Sequence, residues 1–113
     1  MFGVEEMPYT SSYDPATGVL AVAGMVDELA GPVFREDLAT HSTQYTAALT
    51  VDLSDVVFFP SLAVGVLAVA MRESRDAGAE LQVRAREGGV VARVLTICAL
   101  PYTALPARAT DPA

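Results

Sequence analysis

Few side chains in this sequence could carry out acid–base, nucleophilic or metal chemistry. Asp27 follows a predicted strand, and Asp52 is predicted to end another, so each carboxylate could cap a loop or take part in a site. Neither a histidine nor a second acidic motif completes a metal or acid–base constellation around them. The one histidine, His41, lies in a polar stretch and is expected to be solvated, while Cys98 is expected to pack in the core. We therefore expect no enzymatic activity, no cofactor and no metal site.

The hydroxyl of Ser61 stands at a predicted junction between a strand and a helix. The first amides of a helix have no partner within the helix, and a serine at that position can cap them, a contribution of about 1 kcal/mol relative to alanine. In the alternative, Pro60 takes the first helical position and Ser61 merely follows it. The pair Gly88-Gly89 is too short to indicate a phosphate-binding loop, and we interpret it as a turn.

The elements that must position these residues follow from hydrophobic periodicity and turn signals. A βαβ unit over residues 48–85 predicts two parallel strands, and the opening hairpin adds an antiparallel pair. The fold class is therefore α/β, with one mixed sheet of four or five strands and three to four helices. The predicted strands are residues 9–13, 19–24, 48–53, 79–85 and 102–105; the predicted helices are 30–42, 61–77 and 88–99, the first becoming regular at Pro32.

Composition excludes several function classes. The 113 residues suit one domain, and the net charge of −7, with seven arginines and no lysine, argues against nucleic-acid binding. The acidic start of the chain does not resemble a signal peptide, and the apolar run over residues 62–71 is too short for a membrane span, so we expect a cytoplasmic protein. That run is nearly apolar all round, which predicts either a fully covered helix or an exposed patch typical of a protein interface.

One segment resembles the signature of STAS domains in anti-sigma factor antagonists. In that family a strand ends in Asp-Leu-Ser, and a Val, a Phe and a serine-containing helix start follow. The matching residues here are Asp52, Leu53, Ser54, Val56, Phe58, Ser61, Gly65, Val66 and Leu67. Residues 24–27 resemble the Gly-x-Leu-Asp that follows the second strand of the family, and residues 91–100 resemble its last helix. The resemblance predicts a domain over residues 8–105, an N-terminal extension over 1–7 and a C-terminal tail over 106–113.

The resemblance implies that Ser61 is the phosphoacceptor of a partner serine kinase. That kinase is usually the anti-sigma factor itself, which the unphosphorylated antagonist binds so that a sigma factor is released. The implied partner-binding residues are Asp27, Phe59, Pro60, Ser61, Leu62, Val64 and Gly65. Two residues depart from the family pattern: Pro60 replaces an Asp and therefore lacks an amide donor and a carboxylate, and Ala63 replaces a Gly and adds a methyl group.

Other functions remain open alternatives. The first is a non-catalytic STAS subunit that supports another complex, such as the ATPase of a lipid-transport system. A homodimer is also compatible with the sequence. We expect the partner to be a protein, and neither a nucleic acid nor a membrane.

Overall fold

The computed structural model describes residues 7–107, so the expectations for residues 1–6 and 108–113 lie outside the described part of the chain. It confirms an α/β domain with one mixed sheet. In chain order the elements are β1 (Thr10–Asp14), β2 (Val19–Met25), α1 (Ala30–His41), β3 (Leu49–Phe58), α2 (Ser61–Asp76), β4 (Leu81–Arg86), α3 (Val90–Ile97) and β5 (Thr103–Leu105). None of the helices in the described region is long and apolar enough to cross a membrane.

The five strands lie side by side in chain order. β1 and β2 form the antiparallel hairpin, and β2 to β5 are parallel to one another. Since every right-handed crossover moves to the next strand in the same direction, all three helices belong on one face of the sheet. Burial agrees with this arrangement: Leu49, Val51 and Leu53 of β3 are buried, whereas Thr50 and Asp52 between them are partly exposed.

The strand β3 is longer than predicted, because it does not end at Asp52 but continues to Phe58. Its pairing with β2 shifts register twice, each time because β3 contains one more residue than β2. At the first shift an Asp52 carboxylate oxygen accepts hydrogen bonds from the amide, at 2.9 Å, and from the hydroxyl of Ser54. A bulge interrupts the ladder of backbone hydrogen bonds. The Asp-Leu-Ser motif therefore stabilises an irregular strand and not a strand end.

The end of β2 lies against the segment before β1. The amide of Met25 donates to the carbonyl of Met7 at 3.0 Å. Gly24 has a φ of +86°, and a Cβ on it would lie 2.1 Å from the carbonyl oxygen of Pro8. Glycine is therefore required here for two independent reasons, namely the left-handed backbone and the contact with a neighbouring backbone.

A left-handed turn follows α1. Thr43, Gln44 and Tyr45 have φ angles of 53°, 55° and 68°, a conformation that costs roughly 1–2 kcal/mol for each residue other than glycine. The fully buried Ser42 holds this turn, because its hydroxyl donates to the carbonyl of Leu38 at 2.6 Å and accepts from the amide of Tyr45 at 2.9 Å. His41 was expected to be solvated, but it is partly buried, and its ring stacks on that of Tyr13 with centroids 4.3 Å apart.

The core lies between the sheet and the helices. α3 contributes Val91, Ala92 and Leu95 to it. The prediction that Cys98 packs there was wrong, because α3 ends at Ile97 and the thiol is exposed. The helix has eight residues, about two turns, and Ile97 at its end is 80 % exposed.

Tyr9 links the start of the domain to α1. Its hydroxyl donates to a carboxylate oxygen of Asp37 at 2.6 Å, and its ring packs edge-on against Phe34. Burial of the phenol, and then its hydrogen bond to the Asp37 carboxylate, raise the pKa of Tyr9 above its usual value. Deprotonation in the folded state is therefore unfavourable.

We expect the free energy of unfolding to fall with rising pH above about 10, because the unfolded chain then releases the Tyr9 proton that the folded chain retains. The release of one proton limits the loss of unfolding free energy to about 1.4 kcal/mol per pH unit. The observed loss should be smaller, since the Tyr9 side chain is partly exposed to solvent. Urea unfolding of wild type and Tyr9→Phe between pH 8 and 11 checks this. The wild type should lose stability more steeply; parallel profiles would contradict the role given to Tyr9.

Candidate functional site

Asp27 caps the beginning of α1. One of its carboxylate oxygens accepts hydrogen bonds from the amides of Leu29 at 3.1 Å and Ala30 at 3.0 Å, and its carbonyl accepts from the amide of Gly31 at 2.8 Å. These are the contacts of a helix-capping aspartate. The predicted capping role is confirmed, and the helical turn begins before Pro32, where regular helix was expected.

The loop that contains Asp27 lies beside the loop that leads into α2. Met25 pairs with Phe58, and the amide of Val26 donates to the carbonyl of Phe58 at 3.0 Å. Because β2 and β3 are parallel, the helices that follow them begin at the same edge of the sheet. The fold therefore brings together two segments that are more than 30 residues apart, the one around Asp27 and the one around Ser61.

Ser61 is the first residue of α2, and its side chain is exposed. Both sequence interpretations of the junction need correction: the N-cap is Pro60, and no side chain caps the helix. The first hydrogen bond of the helix joins the amide of Val64 to the carbonyl of Pro60 at 3.0 Å. The amides of the first turn thus point out at the end where Ser61 lies, which is the positive end of the helix dipole.

Two residues of this segment face inward. Phe59 is only 3 % exposed, and its ring packs edge-on against Phe34 with centroids 6.0 Å apart. Ala63 is fully buried. Phe59 therefore anchors the loop and does not present its ring to a partner, and the extra methyl group of Ala63 lies in the core and not on an approach path.

The remaining predicted residues are accessible to different degrees. The side chain of Leu62 is 46 % exposed. Gly65 is exposed, whereas Asp27, Pro60 and Val64 are partly exposed. The structure therefore places all of the predicted residues at one end of the α1 and α2 layer, with Phe59 beneath the surface.

Sequence reasoning did not include several exposed apolar residues in the predicted site. Those in or next to α1 and α2 are Leu29 (86 % exposed), Val33 (49 %), Phe58 (40 %) and Val69 (44 %). Leu29 and Val33 recur with Phe34 near helical spacing, a pattern that does not separate a buried face from an exposed one. The signal that was available was the nearly all-round apolar character of residues 62–71, which predicted an exposed patch as one of two outcomes. We call these four residues, together with Leu62, the apolar patch.

The cleft at the sheet edge and the predicted site are formed by different residues. Among residues 7–107, no group of three or more His, Cys, Asp or Glu side chains is placed to hold a metal ion. A cleft of about 690 Å³ lies at the carboxyl ends of β2 to β4. Arg86 and Asp55 line it and form an ion pair, with a guanidinium nitrogen 4.0 Å from a carboxylate oxygen. None of the predicted site residues lines it. At the predicted site, Ser61 presents an exposed hydroxyl beside exposed apolar residues such as Leu62.

Comparison with solved structures shows the same fold in anti-sigma factor antagonists. An antagonist from Mycobacterium paratuberculosis superposes with a TM-score of 0.69 at 22 % identity, with 85 % of this chain and 86 % of that chain covered. The antagonist SpoIIAA in its unphosphorylated form has a TM-score of 0.62 at 15 % identity, covering 89 % and 90 %. SpoIIAA of Bacillus in the phosphorylated form has a TM-score of 0.62 at 17 % identity, covering 90 % and 93 %.

A family model described as "Mlab, STAS domain" matches residues 10–100. The matched region begins with β1 and ends three residues before β5, so it contains both loops of the site. The chain belongs to the STAS domain family.

Proposed function

We propose that this protein is an anti-sigma factor antagonist, which binds an anti-sigma factor of the serine-kinase type through the surface around Ser61 and thereby releases a sigma factor. The observation that carries the proposal is the exposed Ser61 at the first position of α2, set within the apolar patch. The fold shared with solved antagonists supports it.

The apolar patch suits a protein partner. Five apolar residues in or next to two adjacent helices are between 40 % and 86 % exposed. Exposed apolar residues grouped in this way often mark a surface that becomes buried when two proteins associate. The net charge of −7 favours a partner whose own surface around the contact is basic.

Ser61 suits the role of a switch within this surface. A phosphate on its hydroxyl would add close to two negative charges. The amides and the dipole of α2 would stabilise that phosphate in the free protein. The same charge would be costly to desolvate against an apolar partner surface. Phosphorylation would therefore dissociate the complex without unfolding the domain.

The test is calorimetry of the purified protein against each serine-kinase anti-sigma factor of the source organism, followed by incubation with ATP and mapping of the modified residue. We expect one of them to bind and to phosphorylate Ser61. The variant Pro60→Asp, which restores the acidic residue of the family, should be phosphorylated faster. Absence of binding to all of these anti-sigma factors would contradict the proposed function, and modification at another residue would contradict the role of Ser61.

A second candidate function is a non-catalytic STAS subunit that supports a transport ATPase. Two observations favour keeping it: the matching family model is described by the name Mlab and not as an antagonist, and Pro60 replaces the acidic residue beside the phosphoacceptor. Under this function the apolar patch would bind an ATPase subunit constitutively. Purified transport ATPase subunits in the same calorimetry would distinguish the two.

A further inference from the structure

The first turns of α1 and α2 touch at Gly31. This glycine is buried near the beginning of α1. A Cβ placed on it would lie 3.0 Å from Cδ2 and 3.4 Å from Cγ of Leu62. Carbon atoms in favourable contact are separated by about 3.5–4.0 Å. The end of the Leu62 side chain therefore occupies the space that any larger residue at position 31 would fill.

The backbone at position 31 has no positive φ angle; those of the described residues are found elsewhere, at positions such as Gly18 and Gly24. Gly31 lies in helix directly before Pro32, however, and a Cβ on a helical residue that precedes a proline meets the proline ring. The missing side chain of Gly31 therefore relieves two neighbours, the ring of Pro32 within α1 and Leu62 from α2. Of these two contacts, the one with Leu62 reaches the candidate site.

This contact joins the two segments of the site. Asp27 caps the turn that contains Gly31, since its carbonyl accepts the Gly31 amide at 2.8 Å. Leu62, which packs on Gly31, directly follows Ser61. The position of the first turn of α2 is thus set against the capped first turn of α1.

We propose that Gly31 is a positioning residue for partner binding. Because Gly31 has no side chain, Leu62 packs directly against its Cα. The exposed half of the Leu62 side chain, beside Ser61, is then presented to the anti-sigma factor in one orientation. The inference rests on the proposed function and adds to it a residue outside the predicted contact set. A methyl group at position 31 would displace Leu62 toward solvent, because the opposing atoms are the free end of a flexible side chain.

The test is a double-mutant cycle measured by calorimetry with the anti-sigma factor identified as above. We expect Gly31→Ala to weaken binding about tenfold, a loss of about 1.4 kcal/mol. Leu62→Ala should weaken it at least as much. The double variant should bind like Leu62→Ala alone, since the new methyl group then has no leucine to displace. Thermal unfolding of Gly31→Ala shows that the variant is folded at the temperature of the binding measurement, since the new methyl group also meets the ring of Pro32.

An additional readout does not need the partner. In methyl spectra of the free protein, Gly31→Ala should shift the Leu62 methyl resonances while leaving most core resonances in place. Unshifted Leu62 resonances, additive losses in the cycle, or unchanged binding of Gly31→Ala would each overturn the role of Gly31. If the wild type binds none of the anti-sigma factors, the proposed function itself is wrong, and this inference falls with it.

Discussion

Replacing Ser61 with aspartate is expected to weaken the proposed complex with an anti-sigma factor about a hundredfold, equivalent to about 2.7 kcal/mol. The Ser61 side chain is exposed in the free protein, next to exposed apolar residues such as Leu62. In the proposed complex it would be enclosed by the partner. A carboxylate buried there without a basic group to receive it loses its hydration, at a cost of a few kcal/mol. Calorimetry with the purified partner measures the loss.

The effect on folding should have the opposite sign. A negative charge in the first turn of α2 interacts favourably with the helix dipole, a contribution of roughly 0.3–1 kcal/mol. Circular dichroism should therefore show a folded variant with at least the stability of the wild type. Ser61→Ala should bind almost normally, because the Ser61 side chain caps no amide in the folded protein.

A matched control is available at Ser12, an exposed residue of the edge strand β1. Ser12→Asp adds the same charge at a site away from the apolar patch, so it should leave binding within about twofold. Equal losses in the two variants would assign the effect to net charge and not to the Ser61 surface. Wild-type affinity of a folded Ser61→Asp variant would show that the partner binds elsewhere.

The largest expected effect on stability comes from Gly24→Ala. The new methyl carbon would lie 2.1 Å from the carbonyl oxygen and 2.7 Å from the carbonyl carbon of Pro8, at a φ of +86°. The opposing atoms belong to the backbone, so the segment before β1 must move away and the hydrogen bond between Met25 and Met7 is lost. Together with the strain of the left-handed conformation, roughly 1–2 kcal/mol, we expect a total loss of about 3 kcal/mol in the free energy of unfolding.

Gly18→Ala is the matched control for this prediction. Gly18 also has a positive φ, +71°, but nothing lies within 4 Å of a Cβ at this position. Its substitution should cost only the backbone strain, about 1 kcal/mol. Urea unfolding of both variants separates the two contributions, and equal losses would show that the contact with Pro8 relaxes without cost.

Part of the candidate site could be predicted before the structure was known. The resemblance over residues 52–67 located Ser61, and the helix-capping role of Asp27 followed from its place between a strand and a helix. Whether Ser61 is the N-cap of α2 or a residue within its first turn could not be predicted. A helix start that is shifted by one residue has nearly the same local sequence preference. Phe59 was misplaced for a related reason: a phenylalanine in a loop carries no local sign of which way its ring points.

The sequence by itself determined the class of the fold, the order of its elements and the family. Periodicity is a local property, and the alternation in the strands and the spacing in the helices were sufficient to specify the parallel βαβ unit and the opening hairpin. The glycine after the predicted helix 61–77, Gly78, is a typical residue for a helix end, and it has a φ of +79°.

Only the tertiary structure decided which apolar residues form a surface. Leu29 and Phe34 are both apolar residues in or beside α1, yet the first is 86 % exposed and the second is fully buried. Burial depends on which groups from distant parts of the chain cover a side chain, and this is a property of the packed layers and not of the local pattern. For the same reason the contact between Gly31 and Leu62, 31 positions apart, became apparent only when the two helices were seen side by side.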